Sequence, residues 1–159
     1  MAFFNNDKLL LKFGNEKAIS NLAGEYKTYG PLHTIETKLV LANLTTSDVI
    51  QSDVTLLPKS ALIESVELDV QVAAVGGTSV NVGLMKTDRV TSLGTGALLN
   101  AEVTATLVLG KLLIYDATTA QHGTLVGTVL TDPAHITAKV DGTFSAGTLV
   151  LRIRYRAPT

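Results

Sequence analysis

Apolar and polar residues alternate with a period of two along most of the chain from Thr34 onward, which is the pattern of half-buried β-strands. The clearest example runs from Val66 to Val72. Its valines and leucine, Val72 included, are predicted to face the core, while Glu67 and Asp69 are predicted to face solvent. The same alternation recurs in 79–84.

Glycines separate several of these stretches. A glycine pair, Gly76-Gly77, lies between 66–72 and 79–84, and it can supply the positive φ angles of a tight connection. We therefore predict that these two strands form a hairpin. Asp141-Gly142 is a second hairpin signal, and 145–147 is predicted to be a turn just before the final strand.

The final strand has two distinct faces. Leu149, Leu151, Ile153 and Tyr155 are predicted to point inward, with three arginines on the opposite face. Further strands are predicted at 35–44, 54–57, 106–115, 125–130 and 136–140, and only 96–103 suggests a short helix.

About eight strands at short spacing, with no long helical period, predict an all-β fold: an antiparallel β-sandwich, of jelly-roll type, over residues 31–159. Residues 1–30 lack the alternation and are interpreted as an extended arm that orders on a neighbouring subunit. The alternative is that they cover one end of their own sandwich as an extra strand. Leu9, Leu10, Leu11 and Phe13 are the apolar residues of the arm that we expect to bind a partner.

Composition narrows the class of partner. Hydrophobic residues make up 46% and charged residues 17% of the 159 residues, so a surface hidden in an assembly is expected. A formal charge of -1 argues against nucleic-acid binding, which needs a basic field. No apolar run is long enough for a membrane span, and we expect no signal peptide. Cysteine is absent, which excludes disulfides and thiolate sites.

The remaining residues provide no catalytic constellation. His33, His122 and His135 are far apart in sequence and are interpreted as solvated or hydrogen-bonded loop residues, so no metal site is predicted. Gly94-Thr95-Gly96 lacks the third glycine of a dinucleotide-binding loop. We expect neither an enzyme nor a cofactor.

Arg152, Arg154 and Arg156 are the most suggestive polar feature, because their two-residue spacing forms a ladder on one face of a strand. Two interpretations stay open. The ladder pairs with acids on an adjacent strand, such as the strand of Glu67 and Asp69. Alternatively, it is a docking stripe for carboxylates of a partner subunit.

Two longer stretches carry a resemblance. The first is Val54-Thr55-Leu56-Leu57-Pro58-Lys59-Ser60-Ala61-Leu62-Ile63-Glu64-Ser65-Val66, followed by Val80-Asn81-Val82-Gly83. The second runs from Ile136 through Asp141-Gly142 and Ala146-Gly147 to Ile153-Arg154-Tyr155. Together they resemble capsid decoration (cement) proteins of tailed phages, from near residue 50 to the end. Ser60 is a departure, because the family pattern has glycine there.

The resemblance implies a virion structural protein, a jelly-roll sandwich that forms a homotrimer and binds the major capsid protein on the outside of a phage head. By bridging adjacent capsid subunits it would stabilise the lattice, after synthesis in the cytoplasm of the bacterial host. One alternative is a tail, baseplate or head-fibre domain. Another is a carbohydrate-binding jelly roll, which the lack of tryptophan and the 5% aromatic content disfavour.

Overall fold

The computed structural model describes residues 29–51 and 56–158, and these contain eight strands in two antiparallel sheets of four. The strands are β1 (Tyr29–Val40), β2 (Val49–Ile50), β3 (Leu62–Gly76), β4 (Ser79–Lys86), β5 (Ser92–Val103), β6 (Leu112–Asp116), β7 (Ala134–Asp141) and β8 (Phe144–Pro158). The predicted all-β sandwich is confirmed. Most of the predicted arm, including Leu9, Leu10, Leu11 and Phe13, lies outside the described residues, and so do Val54 and Thr55 of the predicted strand 54–57.

The strand order is that of a jelly roll. Sheet A has the order β1-β8-β3-β6, and sheet B has the order β2-β7-β4-β5. The first strand pairs with the eighth, the second with the seventh, the third with the sixth, and the fourth with the fifth. This nesting arises when one long antiparallel ribbon folds over on itself, and it confirms the predicted jelly-roll topology.

Both predicted hairpins are wrong, because β3 and β4, like β7 and β8, belong to different sheets. Gly76 and Gly77 do have positive φ angles, of 85° and 54°. The tight connection that they form turns a corner between the sheets. The Gly77 amide donates to the Thr143 carbonyl at 2.9 Å, and the Thr78 amide donates to that of Asp141 at 2.7 Å. The two connections are thus bonded to each other where both cross the sandwich.

The Asp141 side chain stabilises this corner by hydrogen bonds. Its Oδ2 accepts hydrogen bonds from Ser79 Oγ at 2.6 Å and from Asn81 Nδ2 at 3.1 Å. These bonds, that from Ser79 first, hold the pKa of the Asp141 carboxyl below its usual value. Asn81 Oδ1 also accepts the Ala101 amide at 2.9 Å, so one buried amide joins the corner to β5.

The predicted short helix at 96–103 is wrong, because these residues belong to β5. The register of β4 with β5 passes from Leu84↔Gly94 to Val82↔Leu99, so β5 bulges strongly between these pairs. A Cβ atom at Gly83 would lie 2.4 Å from the Gly94 carbonyl oxygen, so only glycine lets the bulge approach β4. Alanine, leucine and glycine have no strong strand preference, so the composition of this stretch did not indicate a strand. Pairing with neighbouring strands stabilises it.

Other element boundaries also differ from the prediction. The strand predicted at 106–115 begins only at Leu112, after a helical turn at Thr104–Thr106. No strand forms at 125–130, although the Gly127 amide donates to the Ile63 carbonyl at 2.7 Å. The predicted turn at 145–147 lies inside β8.

The core lies between the sheets and is formed by the alternating residues of β3, β4, β7 and β8. Leu149, Leu151 and Ile153 are fully buried, as predicted. Tyr155 is partly buried against the core and stacks on His33, with ring centroids 5.4 Å apart. Val72 was predicted inward but is 47% exposed, because a register shift between Val70 and Val72 turns its side chain outward.

Ser60 lies in a turn that leads into β3. Its φ is 64°, a left-handed conformation that costs a non-glycine residue about 1–2 kcal/mol. The turn is fixed on both sides, because the Ser60 amide donates to the Leu130 carbonyl at 2.8 Å and the Ala61 amide to that of Pro58 at 3.2 Å. The position where the resembling family has glycine is therefore one that favours glycine.

We predict that Ser60→Gly stabilises the protein by about 0.5–1 kcal/mol, since relief of strain exceeds the entropy that glycine adds to the unfolded chain. Urea denaturation measures this change. Ser60→Ala is the matched control, because it keeps the Cβ atom, and it should leave the strain in place. Equal unfolding midpoints for the glycine and alanine variants would contradict the prediction.

Among the strands described, β4 and β5 alone are consecutive in the chain and paired, and Asp88 organises the loop between them. Its carboxylate accepts the Thr91 hydroxyl at 2.5 Å and the amides of Thr91 and Val90 at 2.8 and 2.9 Å. These bonds, led by that of the Thr91 hydroxyl, lower the pKa of Asp88 to about 2.

Because its pKa is depressed in the folded state, the Asp88 carboxylate stabilises the loop above its unfolded pKa of about 3.9. That stabilisation is lost as the pH falls from about 4 to about 2. We predict that Thr91→Val raises the pKa of Asp88, as measured by NMR titration of the side-chain carboxyl. The Asp132 carboxyl, whose pKa is lowered chiefly by Lys86, is the internal control and should not respond.

Candidate interaction surface

The arginine ladder lies on the outer face of sheet A. Its strand, β8, occupies an interior position between β1 and β3, so carboxylates can reach the ladder from both sides. One row across the sheet illustrates this arrangement, with Glu36 opposite Arg152, Arg152 opposite Glu67, and Glu67 opposite Ile114 of β6. Side chains directly opposite each other share a face, so this whole row points outward.

Every arginine of the ladder is paired with a carboxylate. Arg152 Nε lies 2.7 Å from Glu36 Oε2, and Arg152 Nη2 lies 3.5 Å from Asp69 Oδ2. Arg154 Nη2 lies 2.8 Å from Glu67 Oε1. Arg156 Nε lies 2.5 Å from Glu64 Oε1. The predicted pairing with the strand of Glu67 and Asp69 is thus observed, whereas Glu36 and Glu64 were not foreseen.

The ion pairs lean in one direction along β3. Arg152 is opposite Glu67 but reaches Asp69, and Arg154 is opposite Ser65 but reaches Glu67. Such diagonal contacts are within reach of long side chains. Each acid of β3 therefore pairs with the arginine that lies opposite the residue two positions before that acid.

The pairs differ in exposure. The prediction that Glu67 faces solvent is wrong in part, because its side chain lies on the outer face but is only 6% exposed, whereas that of its partner Arg154 is 47% exposed. Arg152 bridges two acids, and the Glu36 carboxylate is the main cause of its raised pKa. A guanidinium has five N–H donors, so Arg154 and Arg156 keep outward-facing donors after one ion pair each. The docking interpretation of the ladder stays a prediction.

An apolar row borders the charged face. Leu112 and Ile114 of β6 lie opposite Asp69 and Glu67, so they too point outward. Leu109 lies in the turn just before β6, which is joined to β3 because the Gly110 amide donates to the Val70 carbonyl at 2.8 Å and the Val70 amide donates to that of Lys111 at 2.9 Å. The four residues of this β6 apolar strip are Val72, Leu109, Leu112 and Ile114, with exposures of 47%, 66%, 51% and 53%.

A buried polar contact lies between the sheets at their β5 and β6 edges. Glu102 of β5 is 4% exposed and accepts a hydrogen bond from the Thr106 hydroxyl. Burial, and then the neighbouring Glu102 carboxylate, raise the pKa of Tyr115 on β6. Sequence reasoning missed this contact, because Glu102 and Tyr115 belong to different predicted elements and neither sits in a recognisable motif.

The three histidines do not converge. His33 lies in β1, His122 lies in the connection between β6 and β7, where its Nδ1 bonds to the Thr119 carbonyl, and His135 lies in β7. The loop interpretation is thus correct only for His122. His135 is 4% exposed. In residues 29–51 and 56–158, no three histidine, aspartate or glutamate side chains form a group that could hold a metal ion.

The part of the chain that the structure describes has no helix long and apolar enough to cross a membrane. What the structure does present is a sheet with one charged and one apolar zone on the same face. That arrangement is suited to binding a second macromolecular surface, because apolar area contributes affinity and charged groups contribute orientation.

Three solved phage structures contain chains with the same fold. A chain in the capsid of Ralstonia phage GP4 matches over 91% of this chain and 92% of that one, with a TM-score of 0.56 and 16% identity. One in the acidic stable capsid of Helicobacter pylori bacteriophage KHP30 matches over 82% and 91%, with a TM-score of 0.55 and 17% identity. One in the cyanophage Pam1 capsid asymmetric unit matches over 99% and 100%, with a TM-score of 0.55 and 14% identity.

No protein-family model and no curated protein matches the sequence. At identities of 14–17%, the three structural likenesses establish a shared fold. They cover 82–99% of this chain and 91–100% of the matched chains.

We predict that Arg154→Gln destabilises the protein by about 1–2 kcal/mol, because Glu67 is then left nearly buried without its cation. A double-mutant cycle with Glu67→Gln should give a coupling of about 1 kcal/mol. The Lys86–Asp132 pair, at 3.0 Å with side chains 38% and 40% exposed, is the matched surface control. Its coupling should stay below about 0.5 kcal/mol, and equal couplings for the two pairs would contradict the assignment.

Proposed function

We propose that this chain is a structural, non-catalytic protein of a phage virion: a decoration protein that binds the outside of the head and stabilises the capsid lattice. The observation that carries the proposal is the jelly roll itself, which matches chains in three phage capsid structures over almost their full length. The resemblance of 54–66, 80–83 and 136–155 to decoration proteins supports the same role.

Stabilisation follows from binding linkage. A protein that binds the assembled shell and not its separated subunits shifts the equilibrium toward the shell by mass action. A homotrimer would engage three sites at once, and the second and third contacts would then form at a high effective concentration. We therefore propose that the chain acts as a homotrimer that bridges adjacent copies of the major capsid protein.

The charged zone of sheet A is suited to orienting such a complex. Arg154 and Arg156 are 47% and 43% exposed and have donors left for carboxylates of a partner. Both are already held in place by Glu67 and Glu64, so little side-chain entropy remains to be lost on binding. Arg152, 30% exposed and bonded to two acids, has a structural role within the sheet.

The test is to purify phage particles and to measure whether the chain is present and where. We predict that it co-purifies with heads, that it is seen on the outer capsid surface by electron microscopy, and that particles lacking it lose their DNA at a lower temperature. Density on a tail or baseplate would support the alternative structural role and contradict decoration. Absence from particles would refute both roles.

Arg156→Gln tests the surface itself. It should weaken binding to undecorated capsids roughly tenfold, because one interfacial charge pair contributes about 1–2 kcal/mol. Lys86→Gln removes an equally paired and exposed cation from sheet B, so it is the matched control. Equal loss of affinity in the two variants would indicate nonspecific electrostatic attraction and remove the ladder from the interface.

A further inference from the structure

The β6 apolar strip is an exposed apolar surface that a binding segment could cover. Leu112 and Ile114 share the outer face of the edge strand β6, while Leu109 lies in the turn just before it and Val72 on the neighbouring β3, and all four side chains are about half exposed or more. Isolated apolar residues are ordinary on protein surfaces, but a contiguous row at a sheet edge marks a binding surface or an aggregation hazard. The charged rows of β3 and β8 separate this row from the other edge, so the strip is a bounded surface.

The chain itself supplies a complementary segment. Residues 9–13 read Leu-Leu-Leu-Lys-Phe, and in an extended conformation Leu9, Leu11 and Phe13 share one face. β6 is also five residues long, Leu112–Asp116. A five-residue extended segment placed along β6 therefore covers its full length and sets three large apolar side chains beside the strip.

We propose that residues 9–13 bind the β6 apolar strip of the same molecule. This would resolve the two interpretations of the arm in favour of the one in which it covers its own sandwich. The inference concerns the free chain and does not depend on the proposed role in a capsid.

Residues 14–28 are long enough to let residues 9–13 reach β6. The row Glu36, Arg152, Glu67, Ile114 crosses three strand spacings, or about 14 Å. Tyr29 is displaced from Glu36 by roughly 23 Å along β1. The direct path from Tyr29 to Ile114 is thus roughly 27 Å, whereas residues 14–28 can extend over about 50 Å.

Attachment to the same chain also favours this occupant over others. A tethered segment meets its surface at an effective concentration in the millimolar range when the tether can span the sites. A free partner at micromolar concentration would have to displace it. An isolated molecule therefore hides its strip with its own residues, and its exposed apolar surface falls accordingly.

Chemical cross-linking in the full chain tests the inference, because the protein has no cysteine of its own. A Lys12→Cys, Lys111→Cys variant places one thiol in the segment and one directly before β6, and it keeps every apolar residue of both. Treatment with a short bis-maleimide should give a link between positions 12 and 111 within one chain. Peptide mapping of a mixture of isotopically light and heavy protein separates links within a chain from links between chains.

Two controls define the result. Lys12→Cys with Val90→Cys places the second thiol on the exposed β4–β5 loop, where Val90 is 82% exposed, and it reports random encounters of the tether. We expect the 12–111 link to exceed the 12–90 link at least about fivefold. Adding Leu112→Ser and Ile114→Ser should reduce it to the level of the 12–90 control. Equal yields of the two links, or a 12–111 link found only between light and heavy chains, would overturn the proposal.

Discussion

The antiparallel pairing of β3 with β8 is the interaction on which the rest of the structure depends. It runs from Leu62↔Arg156 to Gly76↔Phe144, so it spans both strands from end to end. The ribbon then continues across the corner into β4 and β7, beginning at Ser79↔Asp141. Because the β3–β4 and β7–β8 connections turn the corner bonded to each other, the backbone amides and carbonyls keep their partners where each strand leaves its sheet.

This continuous ribbon also explains the local features that look unusual in isolation. The corner needs the positive φ angles of Gly76 and Gly77, and the hydrogen bonds from the buried Ser79 and Asn81 side chains to the Asp141 carboxylate keep the two connections together. The shift that turns Val72 outward lies where β3 approaches the corner. The β6 apolar strip, of which Val72 is part, is therefore partly a consequence of how the ribbon bends.

Period-two alternation was sufficient to predict most strands, because burial of one face imposes it wherever a sheet covers a core. It identified the inward face of β8 and the outward position of the arginines. It failed where the two sides of a strand are not core and solvent. In β4, Ser79, Asn81 and Gly83 are buried as well as the valines, and in β5 the bulge breaks the period.

Sequence patterns were also insufficient to predict the turns and all partners of the arginine ladder. Glycine signals mark a change of direction, but a hairpin and a corner between sheets use the same φ angles, and only the long-range partners of the strands distinguish them. Likewise, the pairing of the ladder with Glu67 and Asp69 followed from a plausible neighbour strand, whereas Glu36 required knowledge that β1 lies beside β8. Sequence spacing cannot supply that neighbour relation.

The interior position of β8 in sheet A has a consequence for the order of events during synthesis. β1, β3 and β6 are all translated before residues 144–158, yet β1 has no partner in the described part of the sheet until β8 arrives. In a ribosome-bound chain, sheet A therefore stays incomplete until β8 emerges. Such sequence-distant closure is slow, and during that interval the apolar faces of sheet A are exposed to other nascent chains and to chaperones.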